Sequence, residues 1–510
     1  MKIERTKNTI SGFAWGATGK IVNMFIPFIL RTVMIYKLGV EYLGLSSLFA
    51  SVLQVLSMSE LGFSYACVYA MYKPIAEDDY KTVGSILIYL KKIYFIIGMV
   101  LLVIGSTFTP FLKYIINGDI PNDVNIYILY GIYLINSSLS YFFFAYKSSL
   151  LSALQCNNII NKVGLLTNTF LKVGQCVVLL IIPNYYVYVV LIPLTTLLNN
   201  LIKSHIVNQK FSCYLVKEPI EDSIRNDIKQ KIVPLIGIKI STVLINAADT
   251  LVISTFLGLK ETALYNNYFF IMSSVQAIVY EIHSSMLAGV GNSLVVDNID
   301  SIRKKFEMLN FVNMWLVSFC TICFVSLYQP FMYVWVGNDM MLSMGMAILF
   351  SMYFFITTIQ RIVIVYKDAA GVWKEDMIRC YASCAINIIL NIISVKYIGL
   401  YGVIGSSVFV GMFIDPWMAR TVHRVILKKS ARQFYFNFIK DIIVCCISCF
   451  IAYMICLKIP YSWLGIILRT AICCIVGNIV LTVVYHNDYR FTGAKQWIQG
   501  LLRRFIKCKR

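Results

Sequence analysis

Between Lys92 and Lys113 the chain reads IYFIIGMVLLVIGSTFTPFL, twenty residues without a charge. A helix of about 20 mostly apolar residues spans the hydrocarbon core of a bilayer. Two lysines stand at one end of this stretch, Lys91 and Lys92, and one at the other. Basic residues gather on the cytoplasmic side of membrane helices. The segment therefore reads as a membrane span with its start inside.

The pattern recurs along all 510 residues. Fourteen stretches qualify: 10–36, 43–71, 93–113, 125–146, 159–182, 185–207, 232–257, 262–290, 308–328, 340–366, 377–398, 401–426, 436–457 and 463–485. The first has no small-residue cleavage site and is expected to stay as a span. Composition agrees, with 59% hydrophobic and 14% charged residues. Soluble chains are about 45–50% apolar and about 25% charged. Too little polar surface remains to cover a soluble globule. The expected class is an all-α polytopic membrane protein of about fourteen transmembrane helices.

The net charge of +20 suggests nucleic acid only until the charges are placed. With the N-terminus inside, 35 of the 45 Lys and Arg fall in inner loops, tails and adjoining helix ends. Five fall outside (Lys37, Lys113, Lys260, Lys396, Lys458) and five within spans (Lys20, Arg31, Lys172, Lys239, Arg469). That bias fits the positive-inside rule and leaves no separate basic domain for nucleic acid. The 15 Cys lie mostly in apolar runs. Cys320-x-x-Cys323 and Cys446-x-x-Cys449 have no second pair or histidine at a metal-like distance, so no metal or other cofactor is expected.

The domain reading is a six-helix lobe over 1–207, a cytoplasmic linker over 208–231, and a second six-helix lobe over 232–430. An extra helix pair follows over 431–485, then a basic amphipathic cytoplasmic tail over 486–510. Trp497, Ile498, Leu501, Leu502 and Phe505 give that tail its apolar face. A repeat supports two halves. Leu38-Gly39 before span two and Leu257-Gly258 before span eight are 219 residues and six spans apart, as in a parallel repeat.

Charges inside a membrane are costly and mark cavities or pairs. Lys20 and Arg31 point within about 20° of each other, some 16 Å apart along the helix. Lys172 with Gln175 and Lys239 with Asp249 lie in spans five and seven. Lys20, Arg31, Lys172 and Lys239 are candidates for a cationic chamber that binds an anionic substrate. Glu60, Asp249 and Glu281 are candidates for ion coupling or for pairing the lobes. Arg469 is expected to snorkel to the outer surface. Arg361 is read equally as a snorkelling or an inward group, and Asp415, before Pro416, as part of a kink. No catalytic residue emerges: the four histidines are scattered and no outer loop exceeds about 15 residues, so a transporter rather than an enzyme is expected.

Tyr42-Leu43-Gly44-Leu45, Ser59-Glu60-Leu61-Gly62 and Tyr72-Lys73-Pro74-Ile75-Ala76-Glu77 resemble polysaccharide flippases of the Wzx type. So do Ala248-Asp249-Thr250-Leu251-Val252-Ile253-Ser254 and Lys396-Tyr397-Ile398-Gly399-Leu400-Tyr401-Gly402. The resemblance covers most of residues 1–430. It implies the multidrug/oligosaccharidyl-lipid/polysaccharide exporter superfamily, with two lobes and alternating access. It also implies a cargo, a polyprenyl-diphosphate-linked oligosaccharide such as an O-antigen or capsule repeat unit. The implied site is a bacterial cytoplasmic (inner) membrane, and the implied partners are membrane lipids and other polysaccharide-assembly proteins. A multidrug extruder of the same superfamily is the alternative; a membrane polysaccharide polymerase is the more distant one.

The topology is testable by cysteine accessibility. Cysteines placed in 208–231 and at both termini are expected to label only after the inner face is opened; labelling from outside would refute the orientation.

Overall fold

The computed structural model describes residues 25–56, 63–117, 120–216 and 218–496. The described residues are helical almost throughout, with no strand. Lipid leaves no water to satisfy backbone N–H and C=O groups, so a spanning chain closes those bonds within helices. Each of the fourteen apolar stretches coincides with a helix or a pair of helices, or with their described part.

Nine helices among the described residues are long and apolar enough to cross a membrane, and ten if one bent pair counts as a span. The others miss that test for visible reasons. The first stretch is described only from residue 25, and Val40–Leu56 and Phe63–Ala76 are separated by residues outside the described set. Of Asp222–Phe256, the part whose side chains are described and apolar is Ile240–Phe256, too short to pass alone. Leu259–Val296 carries Asn266, Asn267, Gln276, Glu281 and His283 along its length. The amphipathic tail expected beyond residue 496 lies outside the described residues.

Polar residues start many helices. Asp79 accepts from the Thr82 N–H at 3.0 Å, and Asn125, Asn184, Asn298, Ser343 and Ser462 cap theirs similarly. Each satisfies a backbone donor that the first turn leaves open. On Tyr80–Phe108, Ile86, Leu90, Ile97 and Leu101 are buried, while Phe95, Ile96, Val103 and Ile104 are exposed. A helix apolar on both its buried and exposed faces is made for lipid.

Contacts divide the chain into Met1–Ala263 and Leu264–Arg510. The Asp222–Phe256 helix packs in the first unit, against Val40–Leu56 and Phe63–Ala76. That boundary describes packing, whereas the 208–231 linker is a reading of span order.

The repeat is written in backbone geometry. Leu38 and Gly39 both donate to the Met34 carbonyl, at 2.9 and 3.2 Å. Leu257 and Gly258 both donate to the Ile253 carbonyl, at 2.8 and 3.1 Å. Gly39 and Gly258 have φ of 126° and 98°, a region that penalises any Cβ. Donor, acceptor and glycine all repeat at the 219-residue offset. Spans four and ten repeat as well. Span four bends by 51° between Ile126–Phe142 and Tyr146–Ala153, and span ten breaks between Met344–Ile359 and Arg361–Ala369. The second segment of each holds a buried lysine, Lys147 or Lys367.

Gly44 sets a close approach in the first unit. A Cβ there would lie 2.3 Å from the Leu259 carbonyl oxygen, a backbone atom that cannot rotate away. Gly44→Ala is expected to cost about 1–3 kcal/mol by overpacking, seen as a lower melting temperature of the purified protein. Gly131→Ala, with open space around it, is the control.

Candidate functional site

In the first unit a tyrosine cluster forms where Val40–Leu56, Ile126–Phe142 and Tyr185–Lys210 meet. Tyr185 donates to the Tyr42 carbonyl at 3.2 Å, and Ser46 and Tyr133 share a hydrogen bond of 3.2 Å. Tyr185 stacks on Tyr188 with ring centroids 5.7 Å apart. Gln175 donates to the Tyr188 carbonyl at 3.1 Å. Arg31, half-buried, lies in electrostatic reach of the Tyr188 hydroxyl. Lys172, also half-buried, is one helical turn from Cys176, which approaches Tyr188 too. One of the expected chamber cations, Arg31, therefore borders a patch of phenols and an amide, and Lys172 stands a turn away along the same helix as Gln175.

The remaining expected residues separate. Lys20 and Glu60 lie outside the described residues. Lys239 lies on the Asp222–Phe256 helix, but its side chain is outside the described set. Asp249 is 6% exposed, beside buried Thr250 and one turn from Ser254. Glu281 is exposed on Leu259–Val296.

The second unit contains a polar group that the sequence reading did not assemble. The Arg361 guanidinium lies 4.3 Å from the centre of the Tyr280 ring, and its Nε has no hydrogen-bond partner among the described residues. Gln276 donates to Thr357 at 2.9 Å and Thr358 at 3.3 Å. The Asn313 amide nitrogen donates to the carbonyls of Thr358 and Ile359 at 3.2 and 2.9 Å. Its oxygen is then the acceptor for His283, 2.7 Å away, which places the imidazole proton on Nε2. The signal lay in Thr357-Thr358-Ile359-Gln360-Arg361, a polar run inside an apolar span. It marks the break in span ten, where freed backbone carbonyls need donors.

Beyond the break, a buried ion cluster joins span ten to spans eleven and twelve. Asp376, 1% exposed, accepts from Lys367 Nζ at 2.9 Å and from Arg379 at 2.5 and 2.9 Å. Arg379 also donates to Asp415, which accepts from Ser383 at 3.0 Å. Asp415 does stand at the turn between Leu400–Phe413 and Trp417–Val425, as its Pro416 suggested, and the ion pair fastens that turn.

Arg469 departs from expectation. It does not snorkel: it is 2% exposed and donates to the carbonyls of Ser326, at 3.4 Å, and Ile459. Its guanidinium lies 5.1 Å from the Tyr461 ring centre. The turn at 457–462 leaves carbonyls without helical partners, and a buried guanidinium serves them better than one drawn out to water.

No family model matches the sequence, and no curated protein matches it. Solved structures do match the fold. A lipid II flippase, MurJ, in an inward closed conformation has a TM-score of 0.69 at 14% identity, covering 94% of this chain and 99% of that one. An inward-facing multidrug resistance MATE family transporter of the MOP superfamily scores 0.62 at 15% identity, covering 79% and 95%. A point mutant of the Vibrio cholerae MATE transporter VcmN scores 0.55 at 12% identity, covering 83% and 99%. At these identities the likeness establishes the fold: a multi-pass helical membrane protein built like these transporters.

Removing Arg379 would leave Asp376 and Asp415 short of their shared partner. Breaking a buried pair costs about 3–5 kcal/mol. Arg379→Ala is expected to lower the melting temperature strongly, and Arg379→Lys to restore part of it. An unchanged melting temperature in Arg379→Ala would show the cluster to be solvated.

Proposed function

We propose that the protein is a flippase, not an enzyme. Its cargo would be a polyprenyl-diphosphate-linked oligosaccharide, carried from the cytoplasmic to the outer leaflet of a bacterial inner membrane by alternating access. In this reading Lys20, Arg31, Lys172 and Lys239 line a cationic chamber for the diphosphate, and the product feeds O-antigen, capsule or similar polysaccharide assembly. Glu60, Asp249 and Glu281 couple the cycle to an ion gradient or pair the lobes. Both termini and the 208–231 linker face the cytoplasm.

The observation that carries the reading is an apolar cavity of about 300 Å³ in the second unit, beside the extra helix pair. Val325, Ile348 and Phe355 line it from the lobe, and Ile442, Cys449 and Phe450 from Arg432–Cys456. A drug-sized cation would need polar anchors that this lining does not offer. A long branched hydrocarbon needs only apolar surface and length. The flippase likeness covers 94% of this chain and the MATE likenesses 79% and 83%, which favours the flippase reading. Charge-assisted hydrogen bonds from lysine and arginine suit diphosphate oxygens.

The test is transport in proteoliposomes of a polyprenyl-diphosphate oligosaccharide, with accessibility to an outer glycosidase as readout. Lys20→Gln, Lys172→Gln and Lys239→Gln are each expected to slow it by roughly tenfold, the worth of one hydrogen bond to a charged group, with folding intact. Glu60→Gln, Asp249→Asn and Glu281→Gln are to be assayed beside them under imposed proton and sodium gradients. Normal transport by all three lysine variants would overturn the chamber. Extrusion of ethidium without movement of the lipid-linked sugar would establish the multidrug reading instead.

A further inference from the structure

From Pro416 to Lys440 the sequence has no acidic residue, while Arg420, Arg424, Lys428, Lys429, Arg432 and Lys440 are all basic. This run links span twelve to the extra helix pair. Its turn is held in shape. Arg303, from Ile299–Val336, donates to the carbonyls of Leu427 and Lys428 at 2.8 and 2.9 Å. Tyr435 donates to the Pro416 carbonyl at 2.9 Å. Lys428 sits at φ 46°, a left-handed conformation that these contacts maintain.

Lys429, Ser430, Arg432, Gln433 and Phe436 enclose an open crater of about 460 Å³ around that turn. A narrow crevice of about 30 Å³ continues from it, past Glu307, Asn310 and Asn437. The charges divide into matched and unmatched. Arg490 donates to Asp488 at 2.8 Å and Lys440 lies 3.9 Å from it. Burial alone would raise the Asp488 carboxyl, but the Arg490 hydrogen bonds outweigh it and hold the group below its ordinary value. Those two cations are therefore answered. Lys429 lies 3.4 Å from Glu307, which also accepts from Tyr489 at 2.8 Å. The exposed Arg432 guanidinium pairs with no side chain among the described residues. In the crevice, Asn310 Oδ1 is buried with no hydrogen-bond donor among the described residues.

Phe436, Ile439, Ile443, Ile447 and Phe450 continue from the crater along the outside of Arg432–Cys456. Their spacing of three and four residues puts them on one exposed face. A charged crater opening directly onto an exposed apolar stripe has the shape of one ligand type: an anionic headgroup joined to acyl chains.

We propose that the crater at Lys429, Ser430, Arg432 and Gln433 is a specific site for an anionic glycerophospholipid of the phosphatidylglycerol class, with its acyl chains along the Phe436–Phe450 stripe. The phosphate takes the Lys429 and Arg432 donors and the Ser430 hydroxyl. A headgroup hydroxyl is the donor that Asn310 Oδ1 lacks. Basic pockets beside membrane helices are suited to such headgroups. The site is apart from the apolar cavity assigned to the cargo: Phe436 and its successors face outward, and none of them lines that cavity except Phe450 at its far end. The inference does not depend on the transported substrate.

Native mass spectrometry of the full chain, released from phosphatidylglycerol or phosphatidylcholine nanodiscs, tests it. The parent is expected to retain phosphatidylglycerol in preference to phosphatidylcholine. Lys429→Gln with Arg432→Gln is expected to weaken retention roughly thirty-fold, at the usual worth of a basic residue near anionic lipid. Arg424→Gln, one turn outside the crater, should leave it unchanged. Equal retention of the two lipids by the parent, or undiminished phosphatidylglycerol retention by the double variant, overturns the proposal. Should the double variant not fold, the parent decides alone. Amide hydrogen exchange over 427–437 should slow in phosphatidylglycerol relative to phosphatidylcholine, and identical exchange overturns the site. Displacement of phosphatidylglycerol by an equal mole fraction of polyprenyl diphosphate would put the crater on the cargo path and overturn its assignment to bulk lipid.

Discussion

A backbone carbonyl in hydrocarbon must find a donor, and in this protein that requirement decides where polar side chains sit. An unbroken helix satisfies its own backbone. Each break frees carbonyls, and side chains reach across to them. Gln360 donates to the Gly411 carbonyl at 2.9 Å, tying the break of span ten to span twelve. Asn313 serves Thr358 and Ile359 at that same break. Arg469 serves Ser326 and Ile459, and Arg303 serves the turn at 427–428. An unmade hydrogen bond of this kind costs about 1–3 kcal/mol. The polar groups are thus conditions for the bends, and the bends give the spans their shape.

The same constraint explains why the repeat shows more clearly in structure than in sequence. Leu-Gly pairs are common, so Leu38-Gly39 and Leu257-Gly258 carry little weight as letters. As geometry they agree in donor, acceptor and positive φ. The buried lysines of spans four and ten show how the halves have diverged. Lys367 meets a carboxylate, Asp376. Among the described residues Lys147 meets neutral partners, Ser204 at 2.8 Å and Asn208 at 2.6 Å. Position is retained while the chemistry of the partner changes.

Much of the architecture was legible because lipid imposes a simple code. Apolar length gives spans, and the 93–113 stretch falls on the second half of Tyr80–Phe108 and the two short helices that follow it, whereas the helix itself starts earlier, at Tyr80. Polar letters inside spans were less legible, for a physical reason. A cation in a membrane needs a partner, and sequence does not say whether that partner is a carboxylate, a carbonyl, a ring or a ligand. Arg379 found carboxylates, Arg469 carbonyls and Arg361 a tyrosine ring. All three are the same letter in similar apolar surroundings. Helix bends were half legible: Pro416 announced one, whereas Gln360 announces a break only once its amide is seen to bridge to another span.

The extra helix pair follows the same logic. A pair attached only by apolar contact would gain little by leaving lipid for protein, since both surroundings are hydrocarbon. Polar links fix it instead. Trp315 of Ile299–Val336 donates to Asn478 at 3.0 Å, joining the lobe to the pair, and Tyr485 donates to Asp441 at 2.6 Å, joining the two helices of the pair near one end. Arg469 ties the pair to the Ser326 carbonyl toward the other end. Trp463–Tyr485 is thus fastened to Ile299–Val336 at two levels, and Arg432–Cys456 is fastened to Trp463–Tyr485. The apolar cavity between Arg432–Cys456 and the lobe is bordered by these links, since Asp441 adjoins Ile442 and Ser326 adjoins Val325 in its lining, so the polar fastening sits beside the greasy wall and not within it.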